Sequence, residues 1–149
     1  MKSVFFTGAT GGLGEVCVRA LAKRGWRVFA AGTNTAKLAA LGEVPGVIPV
    51  RCDVTDEASV QAAKAEVLRH TDRLDAVVNF AGLTGFASLV EGAPVPAARR
   101  MVDVNVMGML RVNAALFDLV YLANGRIVNC SSSAGWMTAQ PFAGAYVAS

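Results

Sequence analysis

The sequence predicts an α/β protein built on a doubly wound parallel sheet, and three observations carry that prediction. Short apolar runs alternate with segments of helical periodicity along the 149 residues. Several of these runs are apolar without alternation, which is typical of strands covered on both faces. A glycine-rich turn joins the first run to the first helical segment. The resulting βαβαβαβαβ order favours three layers, α/β/α, with right-handed crossovers.

Five apolar runs are predicted to be strands. They are Val4–Phe6, Arg27–Ala31, Val47–Cys52, Leu74–Asn79 and Arg126–Cys130. No linker, repeat or low-complexity tract interrupts this order. Residues 1–149 are therefore expected to form a single domain, long enough to bury a core.

Helical periodicity predicts the segments between the strands. In the first helix the apolar residues at helical spacing are expected to face the sheet; they are Leu13, Val16, Cys17, Ala20 and Leu21. Gly25 is expected to end that helix. The remaining predictions are a short helix over Ala36–Leu41, one capped by Thr55, and a long one from about Pro96 to about Leu122.

Composition and charge narrow the classes of function. With 54% hydrophobic and 17% charged residues the chain should be globular. A net charge of +3 with no basic stripe gives no reason to expect nucleic-acid binding. We expect no membrane span, because no apolar run approaches about 20 residues, and a cytoplasmic location, because the start has no signal-peptide core. No metal is expected, because three scattered cysteines and one histidine give no ligand spacing.

The turn Thr7-Gly8-Ala9-Thr10-Gly11-Gly12-Leu13-Gly14 has the chemistry of a dinucleotide site. Gly8 can make the tight turn, Gly12 leaves room for a pyrophosphate, and Gly14 permits close packing of the helix on the sheet. The helix N-terminus offers free N–H groups to phosphates. The spacing is GxxxGxG rather than GxGxxG, with Gly11 adding an overlapping GxxGxxG. Alone, this pattern also fits a glycine-rich turn that merely ends a strand.

Five ordered segments together resemble the short-chain dehydrogenase/reductase family, in its compact rather than extended type. The first is the TGATGGLG turn, similar to that family's TGxxxGxG. The others are Asp53-Val54, Asn79-Phe80-Ala81-Gly82, Asn105-Val106-Met107-Gly108 and Asn129–Gly135, which closes the fifth strand. After these five, Pro141–Ser149 resembles the approach to that family's YxxxK motif. The resemblance covers the whole chain and implies a Rossmann-like fold.

The resemblance also implies where a nicotinamide cofactor would lie. Asp53 would accept a hydrogen bond from the adenine amino group, with Val54 against the ring; a plainer reading makes Asp53 a carboxylate at a helix entry. The other implied contacts divide between the pyrophosphate and the adenosine ribose. The first group, beside Gly8, is Thr10, Gly11, Gly12, Leu13 and Gly14, and the second is Asn79, Ala81 and Gly82.

The sequence leaves the choice between NADP and NAD open but favours NADP. NAD-preferring members usually carry an acidic residue at the end of the second strand. Gly32-Thr33-Asn34 stands there instead, so no carboxylate repels a 2′-phosphate and Thr33 could hydrogen-bond one. The arginine common at position 33 in NADP-dependent relatives is absent.

The implied chemistry is interconversion of an alcohol and a ketone or aldehyde by hydride transfer. Tyr146 would be the general acid or base, and a serine would polarise the substrate oxygen. Alignment of the strand-end motif favours Ser132, whereas the usual serine-to-tyrosine gap favours Ser133. Asn105 lies on an apolar helix face and is either a satisfied structural amide or part of a proton relay.

A lysine four residues after Tyr146 completes the family's YxxxK motif, and this sequence ends at Ser149. We therefore expect a chain truncated before that lysine, with impaired activity. We also expect the family's last strands to be missing, so that the fifth strand is an exposed edge. The alternative is a non-catalytic dinucleotide-binding module or an inactive fragment. The expected small-molecule partner is an apolar substrate, bordered by Trp136, Met137 and Phe142 unless these are core residues. If the protein is full length, a second copy of the chain is the other expected partner.

Overall fold

In the computed structural model, which describes residues 1–85, 95–136 and 143–149, five strands form one parallel sheet. The strands are β1 Ser3–Phe6, β2 Arg27–Gly32, β3 Val47–Arg51, β4 Ala76–Asn79 and β5 Arg126–Asn129. They lie in the order β3-β2-β1-β4-β5. This arrangement confirms the predicted fold class, and each strand overlaps its predicted run to within about two residues.

In the described part of the chain, six α-helices and two other helical segments connect or follow the strands. The helices are α1 Gly12–Lys23, α2 Thr35–Gly42, α3 Glu57–Leu68, α4 Val95–Val102, α5 Met109–Leu122 and α6 Gly144–Val147. A π-helical segment, Asp103–Gly108, joins α4 to α5, and a 3-10 turn spans Ser133–Gly135. The helices pack on both faces of the sheet and produce the three predicted layers.

Two apolar clusters hold the layers together, one on each face of the sheet. Phe5, Phe29 and Val77 are register partners and pack in the cluster that includes α3 and α5. Their chain neighbours Val4 and Val28 point to the opposite cluster, beneath α1 and α2. Alternate residues of one strand therefore enter different cores, which explains why the central strands are apolar throughout.

The prediction for the buried face of α1 is wrong for three of its five residues. Leu13 and Val16 are 73% and 65% exposed, and Ala20 is exposed as well. The residues that α1 buries fully are Gly14 and Val18. Helix α1 comes closest to the turn after β1 at Gly14. Because this contact sets the rotation of the helix about its axis, part of the apolar stripe lies outside the core.

The predicted cap of α3 is also wrong by one residue. Asp56 is the N-cap, and its carboxylate accepts a hydrogen bond from the Ala58 N–H at 3.0 Å. Thr55 instead donates both its N–H and its hydroxyl to Asp53 Oδ1, at 2.9 and 2.7 Å. Since Thr55 is occupied in that turn, the helix starts one residue later.

The long helical segment Val95–Leu122 contains 28 residues and, by length and composition alone, could cross a membrane. The sequence had not predicted that property. The core residues of α5 lie on its sheet-facing side, as expected of a helix that covers a sheet; they are Val112, Ala115, Leu116, Leu119 and Val120. One helix of this kind is weak evidence for a membrane span.

Thr7, directly after β1, couples the turns that end β1 and β4. Its side chain is buried, and its Oγ1 accepts hydrogen bonds from the N–H groups of Phe80 and Ala81 at 2.9 and 3.0 Å. The Thr7 N–H in turn donates to Val78 O at 3.0 Å. The two turns at the centre of the sheet are therefore held as a unit.

Candidate nucleotide-binding site

A cleft of about 1440 Å³ opens at the carboxyl ends of the strands. It lies where the strand order reverses on either side of β1, because β2 continues in one direction and β4 in the other. Ligands of open α/β sheets bind at such a switch point. The topology thus places this cleft where a nucleotide is expected.

The cleft brings together nearly all of the residues predicted to contact a cofactor. The predicted residues that line it are Gly8, Thr10, Gly11, Gly12, Leu13, Gly14, Thr33, Asp53, Val54, Ala81 and Gly82. Sequence reasoning missed other lining residues, including the pair of arginines on α4. Asn79, Asn105, Ser132 and Tyr146 do not line it.

Gly8 makes the predicted tight turn with φ of +70°, in the left-handed region. A Cβ at this position would lie 2.7 Å from Ala81 N and Phe80 O, both backbone atoms. Gly14 packs against the same turn, since its Cβ would collide with Gly8 O. The helix therefore approaches the turn after β1, rather than the strand itself, as closely as backbone permits.

The N-terminus of α1 is left open toward the cleft. Its N-cap residue is Gly11, which provides no side-chain hydrogen bond to the first turn. No atom of the described residues lies within 4 Å of the place where a Cβ of Gly12 would be. Uncapped N–H groups at a helix start carry a partial positive charge, and the space at Gly12 gives an anion access to them.

Asp53 lies across the cleft in an Asx turn rather than at a helix cap. Its Oδ1 accepts both hydrogen bonds from Thr55, which leaves Oδ2 free in the described part of the chain. The Thr55 hydrogen bonds, helped by the charge of Arg100, hold the pKa of the Asp53 carboxyl below its ordinary value. The carboxylate is thus an acceptor throughout the neutral range and is lost as pH falls through that lowered pKa.

Arg99 and Arg100 line the cleft beside Asp53 and belong to the exposed side of α4. Neither makes an ion pair among residues 1–85, 95–136 and 143–149. Arg111, in contrast, pairs with Asp103 at 2.8 Å. The two arginines were not predicted, because nothing in the sequence places α4 over the cleft.

Asn79 takes a different place from the one predicted beside the ribose. Its side chain is buried and donates through Nδ2 to Asn113 Oδ1 at 2.7 Å and Asn129 Oδ1 at 2.8 Å. Its Oδ1 has no partner within the described residues. These three asparagines tie the ends of β4 and β5 to α5, so Asn79 supports the cleft from below.

Asn105 lies in the π-helical segment and fastens it to neighbouring backbone. Its Oδ1 accepts from Leu83 N at 2.7 Å, and its Nδ2 donates to Leu83 O at 2.9 Å and to Ser149 Oγ at 2.8 Å. Ser149 Oγ donates to Tyr146 O at 3.0 Å. A chain of hydrogen bonds therefore connects two of the predicted catalytic residues.

The π-helical segment is itself a notable feature, because π-helical turns within α-helices occur frequently at functional sites.

Ser132 Oγ accepts a hydrogen bond from Ala134 N at 3.2 Å and caps the 3-10 turn, whereas Ser133 is exposed. Helix α6, which carries Tyr146, contacts that turn and α4. Trp136, predicted to border a substrate, is 83% exposed. Met137 and Phe142, predicted with it, lie outside the described residues.

The family model for short chain dehydrogenase matches residues 2–149, nearly the whole chain. The chain belongs to the short-chain dehydrogenase family. This family consists of oxidoreductases, and the cleft and turns described above correspond to the predicted motifs. The resemblance inferred from five sequence segments is confirmed.

Known relatives agree in sequence and in fold. A 3beta-hydroxysteroid dehydrogenase from Mediterraneibacter gnavus is 35% identical over 99% of this chain and 55% of its own length. An alcohol dehydrogenase from Thermococcus sibiricus, complexed with 5-hydroxy-NADP, superposes with a TM-score of 0.89 at 28% identity, covering 99% of this chain and 65% of the other. A 3-oxoacyl-(acyl-carrier protein) reductase from Brucella melitensis with bound NAD has a TM-score of 0.87 at 32% identity, covering 99% and 59%.

The chain spans about half the length of the curated relatives it matches.

Two glycine substitutions are predicted to have opposite effects on stability. Gly8→Ala should lower the free energy of unfolding by about 2–4 kcal/mol, because a side chain at positive φ is strained and would meet backbone. Gly12→Ala should leave it unchanged or raise it slightly, since the position is open and helical. Urea denaturation monitored by circular dichroism measures both. Equal losses in the two variants would contradict the described turn.

Proposed function

We propose that the protein is a nicotinamide-dependent oxidoreductase that interconverts an alcohol with a ketone or aldehyde. The observation that carries the proposal is the uncapped start of α1, held against the end of β1 and open to the cleft at Gly12. A diphosphate is the ligand group that this arrangement suits best, since it needs several N–H donors and close backbone approach.

The residues on both sides of that helix start suit the rest of a dinucleotide. Asp53 presents a free carboxylate oxygen for the adenine amino group, next to the apolar surface of Val54. Ala81 and Gly82 would border the ribose at the end of β4. The volume of the cleft, about 1440 Å³, is sufficient for a ligand of this size.

We propose NADP as the preferred nucleotide, with NAD as the alternative. The related enzymes described above hold 5-hydroxy-NADP in one case and NAD in the other. In this chain, Thr33 and Asn34 are exposed and line the cleft at the end of β2. Among the residues that the structure describes, no carboxylate lines that end. The local chemistry thus favours a 2′-phosphate.

The proposed proton chemistry belongs to α6 and the end of β5. Tyr146 would exchange a proton with the substrate oxygen, and Ser132 or Ser133 would donate a hydrogen bond to that oxygen. Asn105 would hold the π-helical segment against α6 through Ser149. The nucleotide, when bound, would supply or accept the hydride.

A non-catalytic nucleotide-binding module is the second candidate. Two predicted catalytic side chains favour this candidate. Asn105 and Ser132 both make hydrogen bonds to neighbouring backbone groups, and neither lines the cleft. Such a protein would bind the nucleotide with little or no turnover. Binding and turnover therefore have to be measured separately.

Binding tests the part that both candidates share. Titration with NADPH or NADH should raise the thermal midpoint, since a ligand at 100 times its Kd adds about 2.7 kcal/mol to stability. Gly12→Val should weaken both nucleotides by about tenfold or more without unfolding the protein. Gly135→Val is the matched control, because that glycine also faces open space. A folded, monodisperse protein that binds neither nucleotide would refute the proposal.

Turnover separates the two candidates. We expect the 149-residue chain to bind NADPH but to reduce a panel of ketones and aldehydes far more slowly than a form extended past Ser149 by a lysine that completes the YxxxK motif. In whichever form turns over, Tyr146→Phe should abolish the reaction, and Tyr121→Phe, an exposed position on α5, should not. Equal rates in both forms would refute the need for a residue at position 150. Binding without turnover in either form would favour the module.

A further inference from the structure

Basic side chains collect at the edge of the sheet opposite the nucleotide cleft, where the parallel strands begin. The helices that lead into the strands end at the same edge. Helix α1, for example, ends at Lys23, four residues before β2 begins at Arg27. We call this surface the amino edge. Its basic residues are Lys2, Lys23, Arg24, Arg27, Arg69, Arg73 and Arg126.

The amino edge is more basic than the rest of the protein. Beside its seven basic side chains it carries four acidic ones, Glu43, Glu66, Asp72 and Asp75. Its excess of three positive charges equals the net charge of the whole chain, so the positive and negative charges elsewhere balance. The sequence shows no basic stripe, because these residues come from separate segments that only the folded sheet brings together.

Most of the acidic side chains at the amino edge are engaged by groups of the same edge. Glu66 pairs with Arg69 at 2.8 Å, and Asp72 pairs with Arg73 at 3.4 Å. The Asp75 carboxylate accepts a hydrogen bond from the first N–H group of β1 at 2.7 Å. Five cations have no carboxylate partner among residues 1–85, 95–136 and 143–149. They are Lys2, Lys23, Arg24, Arg27 and Arg126.

Contacts with the protein hold two of these cations in place. Lys2 Nζ lies 5.6 Å from the centroid of the Trp26 ring, and Arg27 Nη1 donates to a backbone carbonyl just beyond α3 at 3.0 Å. The dipole of α1 favours a cation in its last turn, which accounts for Lys23. Lys2, Arg27 and Arg126 stand at the starts of strands, so no helix dipole explains them.

Exposed apolar side chains accompany the cations and indicate which anionic surface they suit. Leu68 ends α3 and is 49% exposed, and Tyr121 and Leu122 end α5 and are 75% and 63% exposed. Aliphatic side chains gain little beside the phosphates of a nucleic acid, whereas at a bilayer they enter the boundary of the acyl chains. Tyrosine rings are common at the level of the headgroups. The combination therefore favours a lipid surface.

We propose that the amino edge docks the protein on the anionic surface of a lipid bilayer, without spanning it. The basic side chains would lie among the phospholipid headgroups, and Leu68 and Leu122 would reach the acyl boundary. The nucleotide cleft, at the opposite edge of the sheet, would then face the solvent. This docking is independent of the proposed function, since none of the residues of the amino edge lines the cleft.

Cosedimentation with phospholipid vesicles tests the proposal. The protein should bind vesicles of phosphatidylcholine mixed with phosphatidylserine but not vesicles of phosphatidylcholine alone, and high salt should reverse the binding. Lys23→Gln combined with Arg24→Gln should weaken binding about 25-fold, since each basic residue near an anionic bilayer contributes roughly fivefold. Leu122→Asn should weaken it several-fold, because the apolar side chain is lost from the acyl boundary.

Arg99→Gln combined with Arg100→Gln is the matched control, because it removes the same charge from two adjacent exposed arginines beside the cleft. Vesicle binding should be unchanged in this variant. Equal weakening in the two double variants would show that net charge alone drives binding and would overturn the proposal, as would failure of the wild-type protein to bind the anionic vesicles. All of the replaced side chains are exposed, so the variants should keep the thermal midpoint of the wild-type protein.

A duplex DNA oligonucleotide distinguishes a lipid surface from a nucleic acid. The protein should bind the duplex more weakly than the anionic vesicles, and Leu122→Asn should not affect that binding. Tighter binding of the duplex, lost in the variant with Lys23→Gln and Arg24→Gln, would assign the amino edge to nucleic acid and overturn the proposal. Neither result bears on nucleotide binding at the cleft.

Discussion

The site depends on one close approach of backbone to backbone, between the start of α1 and the turn that follows β1. Gly14 lies against Gly8 O, and Gly8 lies against the backbone of Phe80 and Ala81. A Cβ at either glycine would separate these segments by several tenths of an ångström or more. Because the contact is made of backbone atoms, no rotamer change can relieve it, and the position of the helix start over the cleft is fixed.

That contact is supported from the sheet by polar side chains. The hydroxyl oxygen of Thr7 accepts hydrogen bonds from the two N–H groups that begin the turn after β4. Deeper, Asn79 connects β4 to β5 and α5 through Asn129 and Asn113. These buried hydrogen bonds are specific in direction, so they set the spacing of the turns that surround the nucleotide cleft.

The sequence was sufficient for the sheet because the strands are covered on both faces. Continuous apolar runs such as residues 28–31 are typical of buried parallel strands when helical segments separate them. The rotation of α1, which exposes part of its apolar stripe, could not be predicted in the same way. Its closest contact is made by Gly14, which has no side chain and so contributes nothing to an apolar stripe. The glycine motif predicted where the site lies, because the geometry of the turn after β1 sets the spacing of its glycines.

The parts of the site that sequence did not predict depend on long-range packing. Asn79 and Asn129 are 50 residues apart, so no local pattern indicates the hydrogen bond between them. The π-helical segment around Asn105 arises within a stretch whose periodicity is helical throughout. Its side-chain contacts with Leu83 and Ser149 could be placed only once three elements had been packed together.

The central claim is that backbone N–H groups at the start of α1 bind a diphosphate. Nuclear magnetic resonance of ¹⁵N-labelled protein tests it most directly, by following the amide signals of Gly12, Leu13 and Gly14 during addition of NADPH. We expect large downfield shifts of the amide protons in this group, as they gain charged acceptors, and much smaller ones with adenosine, which has no phosphate. If NADPH binds while these three signals stay in place and other amides shift, the account of the site is wrong.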